Sequence, residues 1–254
     1  MQLARRAIGL IDLTDLADDS STETVHELCH RAVHHGTAAV CIWPDFVAMA
    51  SAAVAGSEVA VATVVNFPSG DDRPFAVEVL TERALADGAH EIDVVLPYRH
   101  WLSGQAERAA DVLERVRERS TDAGALMKVI LETGALLGLE SIDAAARLAV
   151  ACGADFIKTS TGKIDVSANL YAVEAMLAVM AAGPAGPEQR PVGIKPSGGI
   201  RTYDDAVSYL DVAERVMGHG WATRDTFRFG ASGLLDALLA VIDPDLAPSA
   251  PNAY

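Results

Sequence analysis

The sequence predicts an α/β fold, a single-domain (β/α)8 barrel of the TIM type, and three observations support it. Short runs of β-branched and apolar residues alternate with amphipathic stretches along the whole chain. Eight such runs in 254 residues give about 32 residues per strand–helix unit, which is the scale of this barrel. The first run leads into Leu13-Thr14-Asp15-Leu16, without the GxGxxG turn that a doubly wound dinucleotide-binding sheet would place there.

The predicted strands are continuous apolar runs, the pattern of parallel strands buried on both faces. Their ranges are Ile8–Leu13, Ala39–Trp43, Val59–Asn66, Glu91–Leu96, Leu126–Glu132, Phe156–Thr159, Val192–Pro196 and Arg228–Gly230. Between them, apolar residues recur at helical spacing, and most of these stretches end at a glycine, a common helix stop. The predicted helices are Thr22–Gly36, Phe75–Gly88, Ala106–Gly124, Leu139–Gly153, Asn169–Gly183, Thr202–Met217 and Leu234–Ile242.

One barrel domain is predicted over residues 1–242, followed by a Pro-rich tail over residues 243–254. No linker or low-complexity tract divides the chain. The tail contains three prolines and ends at Tyr254, so we expect it to be extended and mobile.

Composition limits the classes of partner and compartment. The chain has 20 basic and 35 acidic residues, a net charge of -15 and no Lys/Arg-rich block, which argues against a nucleic-acid or anionic-membrane partner. Three cysteines without a CxxC pair suit a reducing compartment. Neither a signal peptide nor a membrane span is expected, since Asp12 and Asp236 interrupt the apolar runs near the two ends. We therefore expect a cytoplasmic protein.

Lysine is used sparingly, since only four of the 20 basic residues are lysines and the rest are arginines. Lys158 and Lys195 come at the ends of predicted strands six and seven, and barrel active sites are built at such ends. A desolvated lysine can lose its proton and attack a carbonyl, which arginine cannot do. A second ammonium group nearby lowers the pKa of the first, so the pair predicts a Schiff-base site. The alternative is that both lysines are ion-paired to carboxylates and only stabilise the barrel rim.

Other polar residues accompany this pair as supporting candidates. The residues predicted at strand ends also include Asp12, Cys41, Asn66, Asp93 and Glu132. Lys128 lies within strand five, where it could pair with an inward carboxylate. The arginines are predicted to be mostly ordinary surface charge, with Arg201 as the exception.

Glycine-rich loops follow predicted strands six, seven and eight. Glycine lets the backbone approach a ligand closely, and loops that open onto helix N-termini present free N–H groups to an anion. Barrels commonly bind phosphate near strands seven and eight, and a local positive site is needed because the acidic protein would otherwise repel an anion. The predicted phosphate-binding residues are Gly162, Lys163, Gly198, Gly199 and Ser232, with Arg201 alongside.

The motifs along the whole chain resemble those of the deoxyribose-phosphate aldolase family. The two longest motifs are Phe156-Ile157-Lys158-Thr159-Ser160-Thr161-Gly162-Lys163 and Gly193-Ile194-Lys195-Pro196-Ser197-Gly198-Gly199-Ile200-Arg201. The shorter ones are Leu10–Thr14, Ala39–Ile42, Val65–Pro68, Glu91–Val95, Lys128–Gly134 and Phe227–Ser232. The resemblance implies a class I aldolase without metal or cofactor, which reversibly cleaves 2-deoxy-D-ribose 5-phosphate into acetaldehyde and glyceraldehyde 3-phosphate.

The resemblance also implies roles for individual residues. Lys158 matches the Schiff-base lysine, Lys195 the lysine that keeps it unprotonated, and Asp93 the carboxylate of a proton relay. Tyr254 matches a tail tyrosine that assists proton transfer at the enamine carbon, and the family branch suggests a homodimer. Family members often carry a second serine where this chain has Gly233, so we expect weaker phosphate binding here.

Two other functions remain open at the level of the sequence. A different phosphate-binding barrel enzyme, such as an isomerase or another Schiff-base aldolase, would share the scaffold but not the set of Lys158, Lys195 and Asp93. A non-catalytic barrel that binds sugar phosphates would form no covalent adduct with its ligand.

Overall fold

A computed structural model describes residues 1–183 and 191–243. Within these residues, eight strands form one parallel sheet in the order β7-β6-β5-β4-β3-β2-β1-β8. The strands are β1 Ile11–Asp15, β2 Ala39–Ile42, β3 Ala60–Val65, β4 Glu91–Val95, β5 Leu126–Ile130, β6 Phe156–Lys158, β7 Gly193–Lys195 and β8 Phe229–Ala231.

The sheet closes on itself between its two edge strands, β7 and β8. Parallel bridges join Ile194 to Phe227 and Ser197 to Gly230. The amide N–H of Gly230 donates to the carbonyl of Pro196 at 2.9 Å, and that of Arg228 donates to the carbonyl of Ile194 at 2.9 Å. These contacts complete the barrel, and the predicted fold class is confirmed.

Helices follow the strands around the outside. Their bounds are α1 Gln2–Ile8, α2 Thr22–His35, α3 Val47–Ala53, α4 Pro74–Ala86, α5 Tyr98–Leu102, α6 Ala106–Ala123, α7 Leu139–Ala151, α8 Leu170–Ala181, α9 Tyr203–Met217 and α10 Leu234–Ile242, with a short 3-10 turn at Pro44–Phe46. Local signals set several of these ends. Thr202 and Asp205 form a reciprocal capping box at the start of α9, and Gly124 ends the α6 helix with a φ of 68°. None of the helices in the described ranges is long and apolar enough to cross a membrane.

The boundaries correct the predictions in three respects. The apolar run predicted as the first strand, Ile8–Leu13, contains the end of α1 and the start of β1, because buried helix and strand residues are equally apolar there. The predicted third and fifth strands included Asn66 and Glu132, but both residues have a φ of 56°, and this left-handed conformation ends the extended backbone. The short helices α1, α3 and α5 were missed.

The core has two parts. The larger one lies between the barrel wall and the surrounding helices, as expected for strands covered on both faces. A smaller apolar cluster lies inside the barrel and consists mainly of short side chains from β2 and β3, namely Ala39, Cys41, Ala62 and Val64, together with Leu16. Next to the other strands, the described interior contains charged groups together with the ring of Phe156, whose centre lies 5.4 Å from the Arg228 guanidinium.

Candidate active site

A cluster of seven charged side chains lies inside the barrel, each no more than 5% exposed. Alternate residues of a strand point to the same face, so closing the barrel brings these groups together from five strands and from the residue before β8. The members are Asp12, Glu91, Asp93, Lys128, Lys158, Lys195 and Arg228.

Asp93 lies at the centre of this cluster. Its Oδ2 accepts from the Nζ of Lys158 at 2.9 Å and from the Nζ of Lys195 at 2.8 Å, while its Oδ1 accepts from the Nζ of Lys128 at 2.8 Å. The strand register explains the arrangement, since Lys158 is paired with Lys195 and Asp93 with Lys128. One carboxylate therefore holds three ammonium groups, two of them on a single oxygen.

The cluster shifts the pKa values of Asp93 and Lys195 towards their charged forms. Burial by itself would raise the pKa of Asp93, but Lys128, Lys158 and Lys195 outweigh it and hold that pKa well below its usual range. Burial would likewise lower the pKa of Lys195, but Asp12 and Asp93 hold it well above its usual value. Lys195 therefore supplies a fixed positive charge beside Lys158.

Below Asp93 lies a second layer of ion pairs. Arg228 donates to Asp12 at 2.7 Å and to Glu91 at 2.8 Å. The Nζ of Lys195 lies 2.5 Å from Asp12, and that of Lys128 lies 2.5 Å from Glu91. These pairs confirm that Lys128 is partnered by inward carboxylates, and they show that the lysine pair is ion-paired inside the barrel.

Three sequence predictions about this layer need correction. Arg228 is buried, whereas the arginines other than Arg201 were predicted to be mostly surface charge. Asp12 and Asp93 lie within their strands and not at the strand ends. Glu91 was missed as a member of the site, although its position two residues before Asp93 on one strand places both on the same face.

Cys41 borders the charged cluster on its apolar side. Its Sγ lies 3.9 Å from Asp93 Oδ2, and burial raises the pKa of its thiol. The thiol therefore fills space beside the carboxylate as a small neutral group.

Above the charged layer is a cavity of about 340 Å³ at the C-terminal ends of the strands. Lys158, the last residue of β6, lies on its wall and is 3% exposed, while Lys195 is fully buried beneath. The other predicted residues that line this cavity are Gly162, Lys163, Gly198, Gly199, Arg201 and Ser232. The predicted amine site and the predicted phosphate site thus share one cavity.

Two loops of this cavity approach each other through their glycines. A Cβ placed on Gly198 would lie 2.7 Å from the side chain of Ser167 and 3.3 Å from the Cα of Gly162. Gly198 and Gly199 also have φ values of 84° and 81°, which side chains disfavour. Glycine is therefore required for the close approach of these two loops.

The charged and polar side chains at the rim are more exposed than those below. The Nζ of Lys163 lies 2.9 Å from Asp18 and 5.9 Å from the centre of the Trp43 ring. The amide N–H of Arg201 donates to Asp205 at the start of α9. Ser232 is exposed and lies two residues before the start of α10.

Glu132, a carboxylate predicted at the end of strand five, lies buried behind the loop after β6. Glu132 accepts from the Thr161 hydroxyl at 2.5 Å, and that hydroxyl in turn accepts from the amide of Lys163 at 3.1 Å. Burial raises the pKa of Glu132, although its hydrogen bonds with Thr161 oppose the shift. Glu132 thus fixes the loop that carries Lys163. The left-handed φ of Glu132 is a backbone feature that the sequence did not reveal.

Tyr254 and the predicted tail lie outside the described residues, apart from Asp243. The role assigned to Tyr254 by resemblance therefore stays a prediction.

Comparison with known proteins identifies the family. The model of the DeoC/LacD family of aldolases matches residues 6–238. This chain belongs to that family. It is 44% identical to the deoxyribose-phosphate aldolase of Agrobacterium fabrum over 256 residues, covering 100% of this chain and 96% of that protein. The resemblance inferred from the strand motifs is confirmed, and the chain is an aldolase, a carbon–carbon lyase.

Solved structures of this aldolase family agree in fold. A structure from Coccidioides immitis assigned to deoxyribose-phosphate aldolase is 30% identical, with a TM-score of 0.82, and covers 94% of this chain and 87% of its own. One from Toxoplasma gondii with the same assignment is 26% identical, with a TM-score of 0.85, and covers 96% and 97%. The barrel and the order of its elements are therefore shared with these aldolases.

Proposed function

We propose that this aldolase reversibly cleaves 2-deoxy-D-ribose 5-phosphate into acetaldehyde and D-glyceraldehyde 3-phosphate, through a Schiff base on Lys158, in deoxynucleoside breakdown. One observation carries the proposal: two lysine amines share one oxygen of Asp93 beneath a cavity whose rim holds glycine loops and Lys163. The 44% identical aldolase from Agrobacterium fabrum supports the choice of substrate.

A charge count favours Lys158 as the nucleophile. The buried cluster contains three carboxylates and four basic groups, so one basic group is in excess when all are ionised. Loss of a proton from Lys158 leaves three charges of each sign. Lys158 is also the member of the cluster that lines the cavity, so its amine is the one that a carbonyl carbon can reach.

The reaction then follows from the chemistry of an amine. The nitrogen of Lys158 adds to C1 of the open-chain sugar, and loss of water gives an iminium ion. The C3 hydroxyl loses its proton, the C2–C3 electron pair moves to the iminium, and glyceraldehyde 3-phosphate leaves behind an enamine. Protonation of the enamine carbon and hydrolysis release acetaldehyde and the free amine.

Residues around Lys158 supply the proton transfers and the binding energy in this scheme. Asp93 contacts the reacting nitrogen directly and is suited to pass protons during addition and loss of water. Lys195 keeps a positive charge beside that nitrogen, which favours its neutral form. Tyr254 protonates the enamine carbon in this proposal, on the basis of the resemblance alone.

Reductive trapping tests the proposal. Incubation with acetaldehyde and borohydride, followed by peptide mass mapping, should place one ethyl group on Lys158. The Lys158→Arg variant keeps the positive charge but has no attacking amine, so it should acquire no adduct there and lose turnover. Sugar-phosphate binding without any adduct would instead identify a non-catalytic binding barrel, and substantial activity of Lys158→Arg would overturn the assignment of Lys158.

We also propose that the protein works as a cytoplasmic homodimer. The support is the sparse cysteine content together with the family branch that the motifs resemble. Light scattering coupled to size-exclusion chromatography would contradict the dimer if the mass matched one chain or four.

A further inference from the structure

Ser197 is a buried hydroxyl that the scheme above does not use. It is 4% exposed and lines the cavity, and its Oγ has no hydrogen-bond partner within the described part of the chain. Burying a polar atom without a hydrogen-bond partner costs free energy. A hydroxyl in this state at a ligand cavity therefore indicates that the ligand supplies the missing hydrogen bond.

The backbone of Ser197 is fixed on both sides. Its amide N–H donates to the Thr159 hydroxyl at 3.0 Å, and its carbonyl accepts from the amide of Ala168 at 3.2 Å. The side-chain hydroxyl is thus the group left to bind a ligand, and it is held on a rigid support.

The side chain of Ser197 packs against a glycine on the neighbouring strand. Gly230 lies across the barrel seam from Ser197, and a Cβ there would lie 2.1 Å from Ser197 Oγ and 3.1 Å from Lys195 Cε. Any side chain at position 230 would therefore collide with Ser197 Oγ. Glycine at this position lets the hydroxyl of Ser197 lie close to the β8 backbone, next to the side chain of Lys195.

The position of Ser197 along the strand direction determines which part of the substrate its hydroxyl can contact. It follows Lys195 by two residues, about 6–7 Å along the strand direction, and directly precedes the rim glycines Gly198 and Gly199. A sugar joined at C1 to Lys158 and holding its phosphate at the rim places C4 next to the phosphate-bearing carbon. Ser197 lies at that end of the cavity.

We propose that Ser197 Oγ hydrogen-bonds to the C4 hydroxyl of the sugar phosphate, and so selects substrates with a hydroxyl beside the phosphate-bearing carbon. This inference deepens the proposed function and rests on it. In the synthetic direction the same hydroxyl is the 2-hydroxyl of glyceraldehyde 3-phosphate. An acceptor that lacks it, 3-oxopropyl phosphate, has nothing for Ser197 to bind.

The test compares these two acceptors with acetaldehyde as donor. For Ser197→Ala, the ratio of kcat/KM for glyceraldehyde 3-phosphate to that for 3-oxopropyl phosphate should fall about tenfold relative to the parent protein, the effect of one hydrogen bond. Ser160→Ala is the matched control, because Ser160 is also a buried hydroxyl without a partner among the described residues but is not part of the cavity lining. Its ratio should stay within about twofold of the parent value, the range of a change of a few tenths of a kcal/mol.

The other outcomes overturn the proposal. An equal loss with both acceptors would mean that Ser197 serves the phosphate or the fold, and unchanged kinetics with both would mean that its hydroxyl is unused. Borohydride trapping of acetaldehyde on Lys158, in the parent and in Ser197→Ala, distinguishes a failure of the Ser197 proposal from a failure of the proposed function. Adducts in both proteins with an unchanged acceptor ratio would refute the role of Ser197 alone, whereas no adduct in the parent would refute the proposed function.

Discussion

The charged cluster inside the barrel, called the buried layer here, and the exposed rim of the cavity place the same kinds of charged group in opposite environments. In the layer, Lys195 and Arg228 are ion-paired to carboxylates that are fully or almost fully withdrawn from water. At the rim, Lys163 is 30% exposed at its side chain and pairs with Asp18, which is 92% exposed. Exposed pairs of this kind contribute little to stability, whereas removing one partner of a buried pair leaves an uncompensated charge.

This difference shows which part of the barrel contributes to folding stability and which part contributes to ligand affinity. The charges of the layer depend on one another, because each carboxylate there contacts at least two cations. The rim groups meet solvent, and the pair of Lys163 with Asp18 is exposed and weak, so Lys163 can exchange that partner for an anion. Changes in the layer should alter folding, and changes at the rim should alter ligand binding.

The largest effect is expected on the free energy of unfolding when one buried cation is removed. Arg228→Met keeps much of the side-chain volume but leaves Asp12 and Glu91 without the guanidinium, so the free energy of unfolding should fall by about 3–5 kcal/mol. Arg201→Met at the rim is the matched control and should change it by no more than about 0.5 kcal/mol. Urea denaturation measures the free energy of unfolding of both variants. Equal losses would contradict the difference between the buried layer and the rim.

A medium effect is expected from acid. The folded-state pKa values of Asp12 and Asp93 are lowered, so the stability they contribute is present above their unfolded pKa of about 3.9 and is lost as the pH falls further. The free energy of unfolding should therefore decline below about pH 4. Urea denaturation over a pH series measures the slope, which should be smaller for Asp12→Asn. An identical acid slope in that variant would contradict the contribution of Asp12.

The smallest effect is expected at the rim, from restoring a hydroxyl at position 233. A Cβ on Gly233 would meet no atom of the described residues within 4 Å, and the φ of -99° suits serine. Gly233→Ser should lower the KM for the sugar phosphate about three- to tenfold, the effect of one added hydrogen bond, and leave the free energy of unfolding nearly unchanged. Steady-state kinetics test this, and an unchanged KM would show that the missing serine does not weaken phosphate binding.

Much of the site could be predicted because its signals are local. Lys158 and Lys195 were placed at strand ends by short apolar runs, and the loops with Gly162 and Gly198 were indicated by glycine pairs directly after those runs. Strand ends of a parallel barrel meet at one face, so these residues had to be neighbours once the barrel was predicted.

The sequence by itself determined the barrel, the amine pair and the glycine loops, since each depends on residues close together in the chain. Only the tertiary structure decided that Arg228 joins Asp12 and Glu91, partners separated by 216 and 137 positions. Such pairs depend on how the barrel closes and which residues of each strand face inward. The partnering of Glu132 with Thr161, and the absence of a partner for the Ser197 hydroxyl among the described residues, have the same origin, because hydrogen bonding in a closed interior is a property of the packed molecule.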